Sequence, residues 1–310
     1  MKRNKHPAGM NKKPGSMAKL TENISRIFRD QGKAWLASLP DLVRQLSIHW
    51  DLGQLAPVDN MTFNYVLKAV RHGNIPVILK ISCDEKSLSS EIAALRYFHG
   101  RGCVRLVDED ISSHAMLLQQ AIPGITLKSL YPAQIELVMD QYAATMNKLL
   151  ANPLPQHPQF DAIDVWLKVI DTMKSGSVQE HLLQKAIILK NELLRSMGQQ
   201  YVLHGDLHHD NILDNTEEWI AIDPKGIIGD AEFEAAAFDF IHASEMQNEN
   251  HVRNLFMTRT SLLAQKANLN PHRLRQWTFV RLVLSAAWSL EDDCDPGWAI
   301  RMAEMLALVV

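Results

Sequence analysis

The chain has 310 residues, a formal net charge of −3, 46% hydrophobic residues and 22% charged residues. This composition is that of an ordinary globular protein, and the length exceeds the size at which single cores usually divide, so two lobes are expected. The charge argues against a dedicated nucleic-acid binder, and no stretch approaches the ~20 apolar residues that span a bilayer.

The chain begins with a basic segment, residues 1–20, that lacks the apolar core of a secretory signal. We predict a disordered tail there, followed by a helix over 24–39. The three cysteines, Cys83, Cys103 and Cys294, have no metal-type spacing. They favour reduced thiols and a cytoplasmic location.

Two strands joined by a tight turn follow, at 65–70 and 76–81, and Lys80 is the only charge in the second. A short amphipathic helix then carries Glu91. A kinase needs a strand-borne cation for the phosphates of its nucleotide, steadied by a carboxylate on the next helix. Lys80 and Glu91 fit those two roles. The alternative is an edge lysine with its head in water and a solvated glutamate.

The segment before these strands, 59–64, contains no glycine, although protein kinases cover the phosphates with a glycine-rich loop. Backbone N–H groups and the Thr62 hydroxyl are the predicted phosphate contacts there. Two further strands, 104–107 and 115–118, close a predicted N-lobe of residues 21–119.

A hinge is predicted over 120–124, where an apolar strand runs into the turn pair Pro123-Gly124. The backbone groups of Gln119 and Ala121 are candidates for pairing with a purine edge. The remainder, 125–310, forms the predicted C-lobe. Helical spacing of apolar residues indicates core-facing helices over 132–150 and 178–197.

The catalytic candidate is the segment 204–211, which reads HGDLHHDN. Asp206, which can accept or orient a hydroxyl proton, precedes Asn211 by five residues, and Asp223 follows an apolar strand at 218–222. This layout is typical of phosphoryl transfer, with Asn211 and Asp223 as oxygen ligands for Mg²⁺.

Two other classes remain open. One is a metal-dependent hydrolase using His204, Asp206, His208 and His209, and the other is a kinase fold that binds nucleotide without catalysis.

Within the kinase interpretation, Pro224-Lys225-Gly226 replaces Phe-Gly after Asp223, and Gly205 stands where phosphorylation-regulated kinases carry an arginine. Only ten residues separate Asp223 from Glu234, which leaves no room for a long activation loop. We therefore expect constitutive activity on a small molecule. Lys225 is either a second cation near the phosphates or a surface lysine.

The segments YVLHGDLHHDNIL (201–213) and WIAIDPKGIIGD (219–230) resemble the aminoglycoside phosphotransferase family, in particular its streptomycin 6-kinase and hydroxyurea phosphotransferase branch. The likeness extends to 270–274 and 284–288. It implies an α+β, protein-kinase-like fold in two lobes, with a small β-sheet N-lobe and a mainly helical C-lobe. It also implies ATP or GTP as donor, Mg²⁺, and a small hydroxylated acceptor such as an aminoglycoside. By resemblance, Asp206 is the catalytic base, Asn211 and Asp223 hold Mg²⁺, Lys80 clamps phosphate, and His204 holds the loop.

The acceptor is the least defined partner. Four acids lie within 291–295, and Glu232 and Glu234 follow the Asp223 segment. Facing a cleft, these carboxylates would attract a polycationic aminoglycoside, although such runs are commonly solvated turns. Trp288 and Trp298 are candidates for stacking on a ring or for structural burial.

Overall fold

A computed structural model describes residues 16–156, 159–174, 176, 178–216 and 218–310. Two compact units divide the described chain. The first comprises the chain up to Glu85 together with Asp108–Leu118, and the second comprises Lys86–Val107 and Gln119–Val310. The division at 118/119 lies beside the end of the predicted N-lobe, whereas residues 86–107, which the sequence predicts within that lobe, group with the larger unit.

The first elements in chain order are α1 (Ser16–His49), β1 (Leu52–Pro57), β2 (Asn64–Arg71), β3 (Ile75–Ser82), α2 (Glu85–Phe98), β4 (Leu106–Asp110) and β5 (Ala115–Gln119). The five strands form one sheet in the order β1-β2-β3-β5-β4. β2 and β3 are an antiparallel hairpin in which Val66 lies opposite Lys80. The strands and the turn predicted at 65–81 are therefore present.

Helix α1 is longer than the sequence analysis predicted. Residues 16–20, which the sequence analysis includes in a disordered tail, are helical, and residues 1–15 of that tail lie outside the described residues. Leu20 and Ile24 are fully buried, so apolar packing stabilises the start of this helix. The basic residues before it led the sequence analysis to extend the disordered tail too far. The helix is irregular at Arg29, which has φ 49°.

The core of the first unit lies between α1 and one face of the sheet. Leu39 and Leu46 of α1 belong to the same buried cluster as Leu79 and Ile81 of β3. Side chains alternate between the faces of a strand, so Lys80 points to the face opposite this cluster.

The second unit continues with β6 (Pro123–Thr126), α3 (Ile135–Leu150), α4 (Ile163–Asp171), α5 (Glu180–Arg195), β7 (Tyr201–Leu203), β8 (Ile212–Asn215), β9 (Glu218–Ala221), β10 (Ile227–Gly229), α6 (Ala231–Ala235), α7 (Glu249–Ala267), α8 (Pro271–Glu291) and α9 (Gly297–Leu306). It is mainly helical, with the small sheets β10-β7 and β6-β8-β9. The helices predicted at 132–150 and 178–197 correspond to α3 and α5. The second half of the segment predicted as a hinge is strand β6, because Pro123 and Thr126 pair with β8.

Helix α8 illustrates how local sequence sets an element's start. The Asn270 side chain accepts hydrogen bonds from the N–H groups of His272 and Arg273, and Pro271 occupies the first turn. In the described part of the chain, no helix is both long and apolar enough to cross a membrane.

Candidate active site

Two antiparallel strand pairs hold the predicted catalytic segment. β7 pairs with β10, and β8 pairs with β9 in a register that places Ile212 opposite Ala221. The segment 204–211 connects β7 to β8 and ends in a 3₁₀ turn, His209–Asn211. The Ile222 N–H donates to the Asn211 carbonyl at 2.9 Å. The strand register therefore brings the Asp223 turn beside Asn211.

His204 ties the two ends of this site together. Its Nδ1 accepts from the Asp206 N–H at 3.2 Å, and its Nε2 lies 2.7 Å from the Ile222 carbonyl. This arrangement requires a neutral ring with the proton on Nε2. Burial agrees, since it lowers the pKa of His204 to about 4. The neutral imidazole fixes the backbone on either side of the site.

Two ionisable side chains, Glu234 and Arg281, hold the peptide groups at Gly205. The Gly205 N–H donates to both Glu234 carboxylate oxygens, at 3.1 and 3.2 Å. Arg281 Nη2 donates to the Gly205 carbonyl at 3.1 Å. Gly205 has φ +87°, and a Cβ there would lie 3.0 Å from Trp166 Cη2. Glycine is thus required both by the backbone and by the space, which accounts for the absence of an arginine at this position.

Glu234 is fully buried, and desolvation raises its pKa to about 7. The acceptor-cleft role considered for this residue is therefore wrong, because its carboxylate lies beneath the catalytic loop. Tyr142 supports the same loop by donating its hydroxyl to the Leu207 carbonyl at 2.7 Å. These contacts make the loop a rigid platform.

Asp206, Asn211 and the Asp223 turn are brought together by this framework. Asn211 Nδ2 donates to the Asp206 carbonyl at 3.0 Å. Because the amide nitrogen is used in this way, the Asn211 side-chain oxygen is the atom left for a cation. Asp223 has φ +62°, a left-handed backbone in the turn after β9. Two oxygen donors suit Mg²⁺, which uses one or two protein carboxylates or amides together with water and substrate phosphates.

The donor set does not suit a transition metal. Among the described residues, no three His, Cys, Asp or Glu side chains converge on one point. Both ring nitrogens of His204 are already in hydrogen bonds, and His209 is fully buried with its ring stacked on Phe238 at 5.1 Å. The hydrolase alternative loses two of its four proposed groups, leaving only Asp206 and His208.

A cleft of about 640 Å³ opens beside the catalytic loop, entirely within the second unit. Gly205, Asp206, His208 and Asp210 line one side. The charged lining is completed by Lys128, Lys225, Asp239 and Arg281. Lys128 forms an ion pair with Asp210 at 2.5 Å. The remaining wall is largely aromatic and aliphatic, and it includes Trp166, Trp288 and Trp298.

The acidic residues suggested as acceptor contacts lie elsewhere. None of the residues 291–295 lines the cleft. Glu232 accepts a hydrogen bond from the Asn270 N–H at 3.0 Å. The two tryptophans of the prediction, by contrast, do line it, and Trp298 remains 45% exposed.

The predicted nucleotide contacts are distributed over both units. Lys80 lies on β3 with 2% exposure, and Glu91 lies on α2 with 4% exposure. The alternative of a solvated lysine and a solvated glutamate is therefore wrong. Thr62 lies in the loop between β1 and β2, where its carbonyl accepts from Asn23 Nδ2 at 3.1 Å.

Of the two residues predicted to contact the purine, Gln119 and Ala121, only one has a backbone N–H without a partner among the described residues. The Gln119 N–H donates to the Arg105 carbonyl at 2.9 Å, so it is committed to the chain itself. Ala121, before the strand β6, makes no backbone hydrogen bond to any residue that the structure describes. Ala121 is the better candidate of the two.

Sequence reasoning overlooked three residues that shape the site: Arg281, Asp239 and Trp166. Arg281 carried a readable signal, since it is the only charge between Arg275 and Glu291 in an otherwise apolar helix. Trp166 and Asp239 had no local signal, because only the packing of distant segments brings them to the cleft.

The model of the family described as aminoglycoside/hydroxyurea antibiotic resistance kinase matches residues 49–293. The chain belongs to this family. Streptomycin 6-kinase of Streptomyces glaucescens is 28% identical over 296 residues, covering 93% of this chain and 95% of that protein. Hydroxyurea phosphotransferase of Kitasatospora aureofaciens is 27% identical, covering 93% and 85%. Membership of the antibiotic resistance kinase family makes this protein a small-molecule kinase that phosphorylates a hydroxyl group.

Solved structures confirm the fold of this family member. Aminoglycoside phosphotransferase APH(4)-Ia is similar with a TM-score of 0.64 at 19% identity, over 87% of this chain and 99% of that chain. Choline kinase LicA from Streptococcus pneumoniae has a TM-score of 0.64 at 16% identity, over the same shares. The predicted α+β, protein-kinase-like fold is confirmed.

Proposed function

We propose that the protein transfers the γ-phosphate of ATP, or of GTP, to a hydroxyl of a small acceptor bound in the cleft of the second unit. The observation that carries this proposal is the position of Asp206 at the cleft, with Asn211 and the Asp223 turn held beside it by hydrogen bonds. A solved complex of APH(4)-Ia, described as containing ADP and hygromycin B, supports a nucleotide donor and a small-molecule acceptor.

In this mechanism Asp206 acts on the acceptor. Its side chain is 40% exposed and lines the cleft, so a bound alcohol can donate a hydrogen bond to the carboxylate. As the alcohol oxygen bonds to the γ-phosphorus, the bond to the β-phosphate oxygen breaks and the hydroxyl proton passes to Asp206. Most of the rate enhancement comes from positioning and from neutralising the phosphoryl oxygens.

The remaining assigned residues act on the donor. Asn211 and Asp223 would hold Mg²⁺, which neutralises charge on the phosphate oxygens when it is bound. We assign Lys80 to the phosphates, with Glu91 as its orienting carboxylate. The Thr62 loop is assigned to phosphate and Ala121 to the purine edge. The Gln119 N–H already donates to the Arg105 carbonyl, so Gln119 could contact the purine only through its other polar atoms.

The activity is proposed to be constitutive and cytoplasmic. After Asp223 the chain enters β10 at Ile227 and α6 at Ala231, so no long loop awaits ordering by phosphorylation. Cys83, Cys103 and Cys294 are all thiols, in keeping with a reducing compartment. The second candidate, a catalytically silent nucleotide-binding protein, is disfavoured because Lys80, Asp206, Asn211 and Asp223 are all present.

A coupled assay of ADP release tests the proposal. Purified full-length protein is incubated with ATP or GTP and Mg²⁺ over a panel of aminoglycosides, hydroxyurea and other hydroxylated compounds. We expect acceptor-dependent ADP release with a phosphorylated product in the mass spectrum, and none with Asp206→Asn. Nucleotide binding without transfer to any acceptor would favour the silent alternative.

A further inference from the structure

The cleft beside Asp206 has a wall that is mainly aromatic and aliphatic. Trp166 and Trp288 meet edge to face with ring centroids 5.4 Å apart, and both line the cleft. Trp298 of α9 adds a third indole, and it is still 45% exposed. Exposed indoles around one cavity bind flat apolar surfaces, because a large contact area is buried at little cost in side-chain entropy.

This wall stands next to the reacting carboxylate. Trp166 Cη2 lies 3.0 Å from the position that a Cβ on Gly205 would occupy. Gly205 directly precedes Asp206, so the indole of Trp166 adjoins the catalytic loop itself. An acceptor that presents a hydroxyl to Asp206 therefore places its body against indole rings.

The charges of the cleft leave little for a polycation. Three carboxylates line it, on Asp206, Asp210 and Asp239, against the cations Lys128, Lys225 and Arg281. Asp210 is paired with Lys128 at 2.5 Å, and Asp206 is reserved for the acceptor hydroxyl. Asp239 is the third carboxylate. Lys128 and His208 are close enough to act on its charge, and its neighbour at 3.8 Å, His209, is a buried ring. No hydrogen bond from the described residues occupies the Asp239 carboxylate, so it is the one we assign to a ligand.

The state of Asp239 points the same way. Its side chain is 53% exposed, and desolvation raises the pKa of its carboxyl although His208 and Lys128 act in the opposite direction. A cation bound beside Asp239 would favour the charged form of its carboxyl. One carboxylate of this kind offers a site for one positive charge and not for several.

The size of the cleft also favours acceptors larger than hydroxyurea. About 640 Å³ lies in the range of sites that enclose drug-sized ligands. A molecule as small as hydroxyurea would leave the indole wall in contact with water, and it would gain almost none of the available apolar burial.

Resting on the function proposed above, we infer that the acceptor is an alcohol carried on a flat, largely apolar ring system with no more than one positive charge. Its rings pack against Trp166, Trp288 and Trp298, its hydroxyl meets Asp206, and a single amine, where present, meets Asp239. A polycationic aminoglycoside is a poor fit to this cleft.

The test compares acceptors of defined charge in the ADP-release assay. The probes are quinine, which joins one alcohol and one aliphatic amine to a flat ring, naphthalene-ethanol as the neutral case, and streptomycin as the polycation. We expect kcat/KM for quinine to exceed that for streptomycin by at least about tenfold and to change little with salt. Faster turnover of streptomycin, weakened by salt, would overturn the inference and leave the kinase activity intact.

Single substitutions in the cleft test whether the indole rings and Asp239 determine the affinity for the acceptor. Trp298→Ala should raise the KM for quinine about tenfold, with kcat, the KM for ATP and the melting temperature nearly unchanged, and Trp298→Phe should restore most of the loss.

Asp239→Asn should raise the KM for quinine about fivefold and leave the KM for naphthalene-ethanol unchanged. The control Asp292→Asn, in the acidic run outside the cleft, should change neither. An increase in the streptomycin KM with Asp292→Asn, and none with Trp298→Ala, would contradict the assignment.

Calorimetric binding separates this inference from the catalytic proposal. If no acceptor is phosphorylated, the proposed activity fails, but titration with quinine still reports on the cleft. Binding that is lost in Trp298→Ala supports the inference, and binding that is absent or unaffected by Trp298→Ala overturns it.

Discussion

At the scale of single residues, the site combines a small reacting group with a large support. Asp206 is partly exposed to the cleft, whereas the residues that position its neighbours, His204 and Glu234, are fully buried. Rigid support of this kind allows catalysis by preorganisation, because the donors and acceptors need not reorganise during the reaction.

The first residue-scale prediction concerns Asp206. Asp206→Ala should lower phosphoryl transfer at least about a hundredfold, because the substrate hydroxyl then has no carboxylate to take its proton. Nucleotide affinity should remain nearly unchanged, since no donor contact is assigned to this side chain. Steady-state kinetics and nucleotide titration measure the two effects. Preserved turnover in the variant would remove Asp206 from the mechanism.

A second residue-scale prediction follows from the neutral ring of His204. Its pKa is about 4 in the folded protein, below the value near 6.5 expected when unfolded, so the unfolded state binds the proton more readily. The contribution to the free energy of unfolding is therefore complete above pH ~6.5 and is lost as the pH falls towards 4. The loss should reach about 3 kcal/mol.

Denaturant titrations at several pH values measure this slope, with His204→Gln as the control that cannot titrate. The wild-type protein should lose stability more steeply than the variant between pH ~6.5 and ~4. Parallel curves would show that His204 is not the group responsible.

At the scale of elements, helix α8 connects the support of the site with the cleft. Arg281 near its middle donates to the Gly205 carbonyl, and Trp288 on the same helix lines the cleft. Arg273 in its first turn bonds to Asp230, the residue that caps α6. The correct start of α8 therefore matters for residues far along its length.

The element-scale prediction tests this start. Asn270→Ala removes a side chain that accepts from two N–H groups of the first turn, and it should cost about 1 kcal/mol of unfolding free energy. Asn270→Asp, which retains the acceptor oxygen, should be close to the wild type. Thermal and urea unfolding supply the measurement, and equal losses in both variants would exclude capping as the cause.

At the scale of the whole molecule, binding of the nucleotide donor should raise the free energy of unfolding. A ligand at about a hundred times its dissociation constant stabilises a native protein by about 2.7 kcal/mol. For a chain of 310 residues the melting temperature should rise by roughly 4 °C with saturating ATP and Mg²⁺.

Calorimetry with and without a chelator tests the part played by the metal. Chelation should remove most of the shift, and Asp223→Asn should reduce it because one proposed Mg²⁺ ligand loses its charge. A full shift in the presence of the chelator would argue against a metal-linked nucleotide site.

The sequence by itself determined the features that depend on local pattern. The sequence shows the apolar strand around Lys80, the spacing of Asp206 and Asn211, and the strand before Asp223, because hydrophobic pattern and spacing are properties of neighbouring residues. The same patterns carried the family resemblance that the comparison over residues 49–293 confirmed.

Only the tertiary structure decided where separated segments meet. The acidic sequence context of Glu234 suggested a ligand contact, but folding buries it beneath Gly205, whereas Trp166 and Trp298 converge on one cleft from α4 and α9. Burial and long-range packing set the pKa of a carboxylate and the chemistry of a cavity, and neither follows from the identity of the adjacent residues.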